Sequence, residues 1–218
     1  MSAPVLVAVA HGTRSAAGQA QVRELADAVA CRRPDADVRL CFVDVQQPRV
    51  GDVVRNVETA VVVPLLLSSG YHVRVDIAAA VAGRDAVVTP PLGPDPVLLE
   101  SLSRQAGGAD AVVLAAAGSS DPRWRADVDT VARELGAHVA YASGAQRLVP
   151  DVVAQLRREG AERITIAAYL LAEGRFYRSL HSAGATTVTP PLCRDPAVTD
   201  LVVRRFESAL LTTAPRTL

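Results

Sequence analysis

The chain has 218 residues, half of them apolar, with 23 basic and 23 acidic side chains and a formal net charge of zero. That length admits one large domain or two small ones, and the balanced charge argues against nucleic acid as the main partner, which favours a basic face. Cys31, Cys41 and Cys193 are far apart and form no CxxC pair, so the sequence offers neither a zinc knuckle nor an iron–sulfur site and reads as a reduced, cytoplasmic protein.

The first apolar run, within MSAPVLVAVAHGTR, lacks a preceding basic region and is too short to span a bilayer. It predicts a buried first strand over residues 4–10. Residues 17–32 follow with Val22, Leu25, Ala26, Val29 and Ala30 at helical spacing. Further strands are expected at 37–43, 60–67 and 85–89. Asp95-Pro96 opens a helix that runs to Arg104 with leucines on one face. Ala106–Asp110 (AGGAD) is a flexible joint, after which strands are expected at 111–117, 137–142, 163–170 and 185–189. Short, nearly unbroken apolar runs between amphipathic segments imply parallel βαβ units with right-handed crossovers.

The two halves repeat one another. VVTPPLGPDP at Val87–Pro96 recurs as TVTPPLCRDP at Thr187–Pro196, PLLLSSGYHV at Pro64–Val73 matches AYLLAEGRFY at Ala168–Tyr177, and the strand ending at His11 matches the one ending at Ala117. Three matches in one order imply a duplicated unit of roughly a hundred residues. The expectation is an α/β protein of two Rossmann-like lobes with four-stranded parallel sheets facing across a cleft, residues 1–106 and 107–218. Ligands in such folds sit beyond the C-terminal strand ends.

That rule selects His11 after the first strand, Asp44 after the second and His72 after the third. Two imidazoles and a carboxylate suit divalent first-row metals, and the same groups exchange protons near neutrality. A histidine after a strand also serves as a plain structural residue, Asp44 also suits the cap of a short helix, and Gly12 and Gly70 also suit tight turns. The repeat provides an internal control. The second copy has Ala117, approximately Ser143, and Phe176 at the matching positions, yet it retains Gly118, Gly174 and the TPPL turn. A folding unit that dispenses with the ionisable groups does not need them to fold, which points to chemistry in the first half and a supporting wall in the second.

AHGTR at residues 10–14, FVDVQQP at 42–48 and VVVPLLLSSGYHVRVDI at 61–77 resemble the class II tetrapyrrole chelatases that act on sirohydrochlorin, in their long, duplicated form. The resemblance covers the whole chain and implies the chelatase-like fold, a lyase activity in sirohaem or cobalamin biosynthesis, no organic cofactor, and Fe²⁺ or Co²⁺ as substrate; the Ala-, Val- and Arg-rich composition, which points to a high-GC genome, favours iron. It makes His11 and His72 the metal-binding and catalytic pair. Members carry a glutamate after Phe-Leu on the second loop; here Phe42-Val43 precedes Asp44, one methylene shorter, which makes Asp44 the third catalytic candidate, as a base for the pyrrole protons or a water-mediated contact. The carboxylate-rich macrocycle implies cationic and polar contacts, assigned to Arg14, Ser68, Ser69, Gly70, Arg74 and, from the opposing lobe, Arg175. Trp124 and the Phe176-Tyr177 pair suit either ring stacking or core packing. Both cleft walls come from one chain, so a monomer without nucleic-acid or membrane partners is expected. A histidine phosphatase is disfavoured because Ala10, rather than Arg, precedes His11. A tetrapyrrole or metal carrier is the remaining alternative.

Overall fold

The computed structural model describes residues 5–70, 72–144 and 147–213, with the side chains of residues 72–74 and 213 outside the description. The first half runs β1 (Val5–Ala10), α1 (Ala16–Arg32), β2 (Val38–Phe42), α2 (Val50–Arg55) and β3 (Ala60–Pro64). A π-helical turn (His72–Ile77) then leads into α3 (Ala78–Val81), β4 (Ala86–Val88) and α4 (Pro96–Ala106). The second half repeats the order as β5 (Ala111–Ala116), α5 (Pro122–Leu135), β6 (His138–Tyr141), α6 (Val149–Arg158), β7 (Ile164–Tyr169), α7 (Arg175–Leu180), β8 (Thr187–Val188) and α8 (Pro196–Thr213).

Each half forms a four-stranded sheet, ordered β2-β1-β3-β4 in the first and β6-β5-β7-β8 in the second. All pairings are parallel. Alternation along the strands explains how two sheets share one core. Leu6 and Ala8 of β1 and Leu114 and Ala116 of β5 point into a single cluster between the sheets, whereas Val7 and Val9 face an outer cluster with Val50 and Val54 of α2. Val113 and Ala115 of β5 face the corresponding outer cluster of the second half, with Val149 and Val153 of α6. A strand residue reverses its face at every step, so a run buried on both sides has no polar position. Each fully buried leucine contributes about 1.5–3 kcal/mol.

The repeated TPPL segment has a structural reason. Thr89 and Thr189 are buried, and their amides donate to the carbonyls of Val62 and Ile166 at 2.9 Å, extending each sheet by one bond. Leu92 and Leu192 are fully buried in the shared cluster. The aspartates that follow begin the last helices, and those helices pack across the interface: α4 lies against β7, and α8 against β3 and α1. Arg205 of α8 binds Asp95 at 2.9 Å, and Arg104 of α4 binds Asp195. Each N-terminal aspartate is therefore held by the other half's helix as well as capping its own.

Some expected boundaries moved. The third strand ends at Pro64; the Leu65 amide makes a last bond to the Val9 carbonyl of β1 at 2.8 Å, and Leu66 and Leu67 leave the ladder rather than continuing it. Asp44 does not cap α2, whose first turn follows Arg49; it accepts a hydrogen bond from the Arg49 guanidinium instead, at 3.0 Å. No helix among the described residues is long and apolar enough to cross a membrane.

Candidate functional site

A cleft of about 400 Å³ opens between the halves at the C-terminal ends of β1 and β3. The strand order reverses direction between these two neighbours, which leaves a crevice that no crossover helix covers. Its first wall comes from His11, Gly12 and Thr13 after β1 and from Leu65–Leu67 after β3. The opposing wall comes from the residues after β7, Leu170 to Tyr177, with Trp124 and Tyr169.

The first loop is shaped by a close approach. Gly12 has φ +100°, and a Cβ there would stand 2.1 Å from the Asp44 carbonyl oxygen. Only glycine fits both the left-handed backbone and the contact. The Asp44 amide donates to the His11 carbonyl at 2.9 Å, joining the first and second loops. Gln46 reaches the Thr13 amide with its side-chain oxygen at 2.8 Å and also lines the cleft. The second half repeats the backbone arrangement without the imidazole: Gly118 has φ +103°, and a Cβ there would meet the Ser143 carbonyl at 2.3 Å. This geometry matches His11 with Ala117 and Asp44 with Ser143, as the repeat suggested.

His11 is exposed at the cleft margin, with Nδ1 3.2 Å from the Gly12 carbonyl oxygen. Asp44 is exposed as well, but its carboxylate turns to Arg49, outside the cleft lining. The Val45 amide and then the Arg49 guanidinium hold its pKa below the ordinary carboxylate value. The backbone of His72 opens the π-helical turn that follows the third loop at the same sheet edge. The imidazole of His72 and the guanidinium of Arg74 lie outside the described residues. Among the described residues, no three His, Cys, Asp or Glu side chains gather as a metal-holding group.

Ser68 and Gly70 are buried, and the half-buried Ser69 donates its amide to Asp127 of α5 at 2.9 Å. Arg14 is exposed outside the cleft lining, whereas Arg175 lines it from the second half. Trp124 and Phe176 also line it. Tyr177 does so while donating from its hydroxyl to the Thr189 carbonyl at 3.2 Å, which anchors it as a packing residue.

Four contributors went unnoticed in the sequence: Gln46, the leucine run at 65–67, Tyr169 and Glu173. Tyr169 donates across the interface to the Leu67 carbonyl at 2.7 Å, and burial pushes its phenol pKa upward. Glu173 is tied to α1 by a two-point contact. Its amide donates to Gln21 Oε1 at 2.8 Å, and Gln21 Nε2 donates to its carboxylate at 2.7 Å. One signal was available: Gln21 is a polar side chain on the buried face of α1, one turn before Leu25.

The fold and cleft define a two-lobed, chelatase-like α/β protein. The CbiX family model matches residues 5–108 and again 111–209, so the chain belongs to the CbiX family of sirohydrochlorin chelatases. Among solved structures, SirB from Bacillus subtilis with Fe³⁺ superposes with a TM-score of 0.75 at 19% identity, covering 98% of both chains. SirB from Bacillus subtilis subspecies spizizenii in complex with cobalt gives 0.73 at 19% identity, covering 98% of this chain and 97% of that one. CbiX described as the terminal enzyme of sirohaem biosynthesis in denitrifying bacteria gives 0.70 at 22% identity, covering 94% and 99%. No curated protein matches significantly by sequence.

Proposed function

We propose that this protein inserts Fe²⁺ into sirohydrochlorin to form sirohaem, working as a cytoplasmic monomer with the metal-handling chemistry in residues 1–106 and a supporting wall from residues 107–218. The observation that carries this reading is His11 at the margin of a leucine-walled cleft on the β1–β3 switch point. Leucines on both walls suit the apolar faces of a macrocycle, while Arg175 within the cleft, and Arg14 and Arg74 beside the histidine motifs, suit its peripheral carboxylates. Family membership supports the substrate class.

The chemistry follows from what the ion must lose. A hydrated divalent cation has to exchange waters for four pyrrolic nitrogens, and two neutral imidazoles, His11 and His72, strip part of that shell while leaving positions open. Two pyrrole N–H protons must depart as the metal enters. Ser68, Ser69 and Gly70 form the turn from which His72 emerges, and the Asp127 contact to the Ser69 amide fixes that turn against the second lobe. Asp44, held by Arg49, acts on the loop that carries His11 through its backbone rather than by entering the cleft.

Cobalt is the second reading, since imidazole ligands accept both ions and SirB structures hold iron in one case and cobalt in another. The experiment is anaerobic absorbance of sirohydrochlorin with Fe²⁺ or Co²⁺ against a protein-free control. Multiple turnovers, faster with Fe²⁺ at equal free metal, are expected. Faster cobalt insertion transfers the assignment to the cobalt enzyme, and stoichiometric binding without turnover transfers it to a carrier.

A further inference from the structure

Insertion releases two pyrrole protons, and the residue that the family pattern offers to accept them, Asp44, faces Arg49 outside the cleft. Among the described residues lining the cleft, Glu173 is the one acidic residue, on the wall opposite His11. We propose that Glu173 accepts a pyrrole proton during metal insertion, so that the two lobes divide the reaction: imidazole on one wall, carboxylate on the other. The inference rests on the chelatase reading.

The fold invests in the placement of this side chain. Gln21 is buried within α1, and its carboxamide can satisfy its two contacts in one orientation only. Its oxygen takes the Glu173 amide at 2.8 Å, which leaves its nitrogen to donate to the Glu173 carboxylate at 2.7 Å. Gly18, one turn earlier, lets α1 approach the Glu173 carbonyl so closely that a Cβ would stand 2.0 Å from it. The pseudo-equivalent contact lacks such a group: there Asp127 takes the amide of Ser69, and a serine stands where the second half has a glutamate. Gln21 is thus a positioning residue for Glu173.

The step balances without a further reagent. The pyrrole N–H bond breaks, its electron pair stays on nitrogen and enters the bond to the metal, and the proton forms an O–H bond on Glu173. Loss of that proton to water through the open cleft resets the carboxylate.

Glu173→Gln tests the idea, because the amide can still accept from Gln21 and the variant preserves the shape of the loop. Steady-state metallation should show kcat reduced by roughly 10²-fold or more, with KM for sirohydrochlorin changed less than threefold. The acidic limb of the kcat–pH profile should disappear. Glu173→Ala should be similarly slow and regain rate with added formate, in proportion to formate concentration. A Glu173→Gln enzyme within twofold of wild type with the same pH profile, or an Ala variant indifferent to formate, overturns the inference while leaving the chelatase reading intact. Absence of turnover in wild type itself overturns both.

Discussion

Replacing Gly18 by alanine separates helix propensity from interface geometry. In an open helix interior the change stabilises by about 0.8–1 kcal/mol. At Gly18 the new Cβ would lie 2.0 Å from the Glu173 carbonyl oxygen and 3.0 Å from Thr13 Cγ2, and the first of these is backbone that cannot rotate away. Relief requires α1 and the 171–174 loop to part by more than an ångström. Such overpacking costs about 1–3 kcal/mol, and stretching the two Gln21–Glu173 hydrogen bonds adds about 0.5–1.5 kcal/mol each. The penalties exceed the propensity gain, and Gly18→Ala should lose roughly 1–5 kcal/mol net, which lowers Tm by roughly 2–4 °C per kcal/mol in a chain of this size. Gly51→Ala in α2 is the control: its Cβ would meet only the flexible end of Arg55, at 3.4 Å, so the propensity gain of up to about 1 kcal/mol should survive. Denaturant unfolding followed by far-UV circular dichroism reads both. A Gly18→Ala protein as stable as Gly51→Ala would refute the close packing of α1 on the Glu173 loop.

The cross-interface aspartate gives a pH test. Burial alone would raise the Asp195 pKa, but the Ser101 hydroxyl, the Ala197 amide and Arg104 together hold it below its ordinary value. Because the folded pKa is depressed, the contribution of Asp195 is complete above the unfolded-state carboxylate pKa of about 3.9 and fades as pH falls through the lower folded value. The difference in denaturation midpoint between wild type and Asp195→Asn should therefore be constant near neutrality and narrow in acid; a gap independent of pH down to the acid transition contradicts the assignment. Thiol chemistry gives a second test. Burial pushes the Cys41 and Cys193 thiols up to about 12, whereas Cys31 is exposed. Ellman's reagent should titrate one equivalent rapidly in the native protein and three in denaturant, and two rapid equivalents would contradict the packing around Cys41 or Cys193.

The strand positions were legible because burial on both faces writes an unbroken apolar run, as in LVAVA and VVVP. The same logic misplaced Leu65–Leu67. Three leucines look alike whether they continue a strand or wall a cleft, and only the end of pairing at Pro64 distinguishes the two. The short helix at Val50–Arg55 spans fewer than two turns and shows no periodicity to detect. At the site, the two halves differ in both directions: the second copy lacks the ionisable groups His11, Asp44 and His72. Glu173 is an ionisable group that the second copy adds, opposite Ser69. The exchange of α4 and α8 between lobes had no sequence signal beyond the two Asp-Pro starts, since a leucine face does not name the sheet it covers. Asp44 occupied the expected loop, yet its direction was set by Arg49, five residues on.

The most direct test of the account compares initial rates of anaerobic sirohydrochlorin metallation under multiple turnover for wild type, His11→Ala, His72→Ala and the double variant. Wild type should turn over, each single substitution should cost at least about tenfold, and the double variant should fall to the protein-free rate with its circular dichroism unchanged. A double variant that still turns over at the wild-type rate would contradict the placement of the chemistry at the first-lobe end of the cleft.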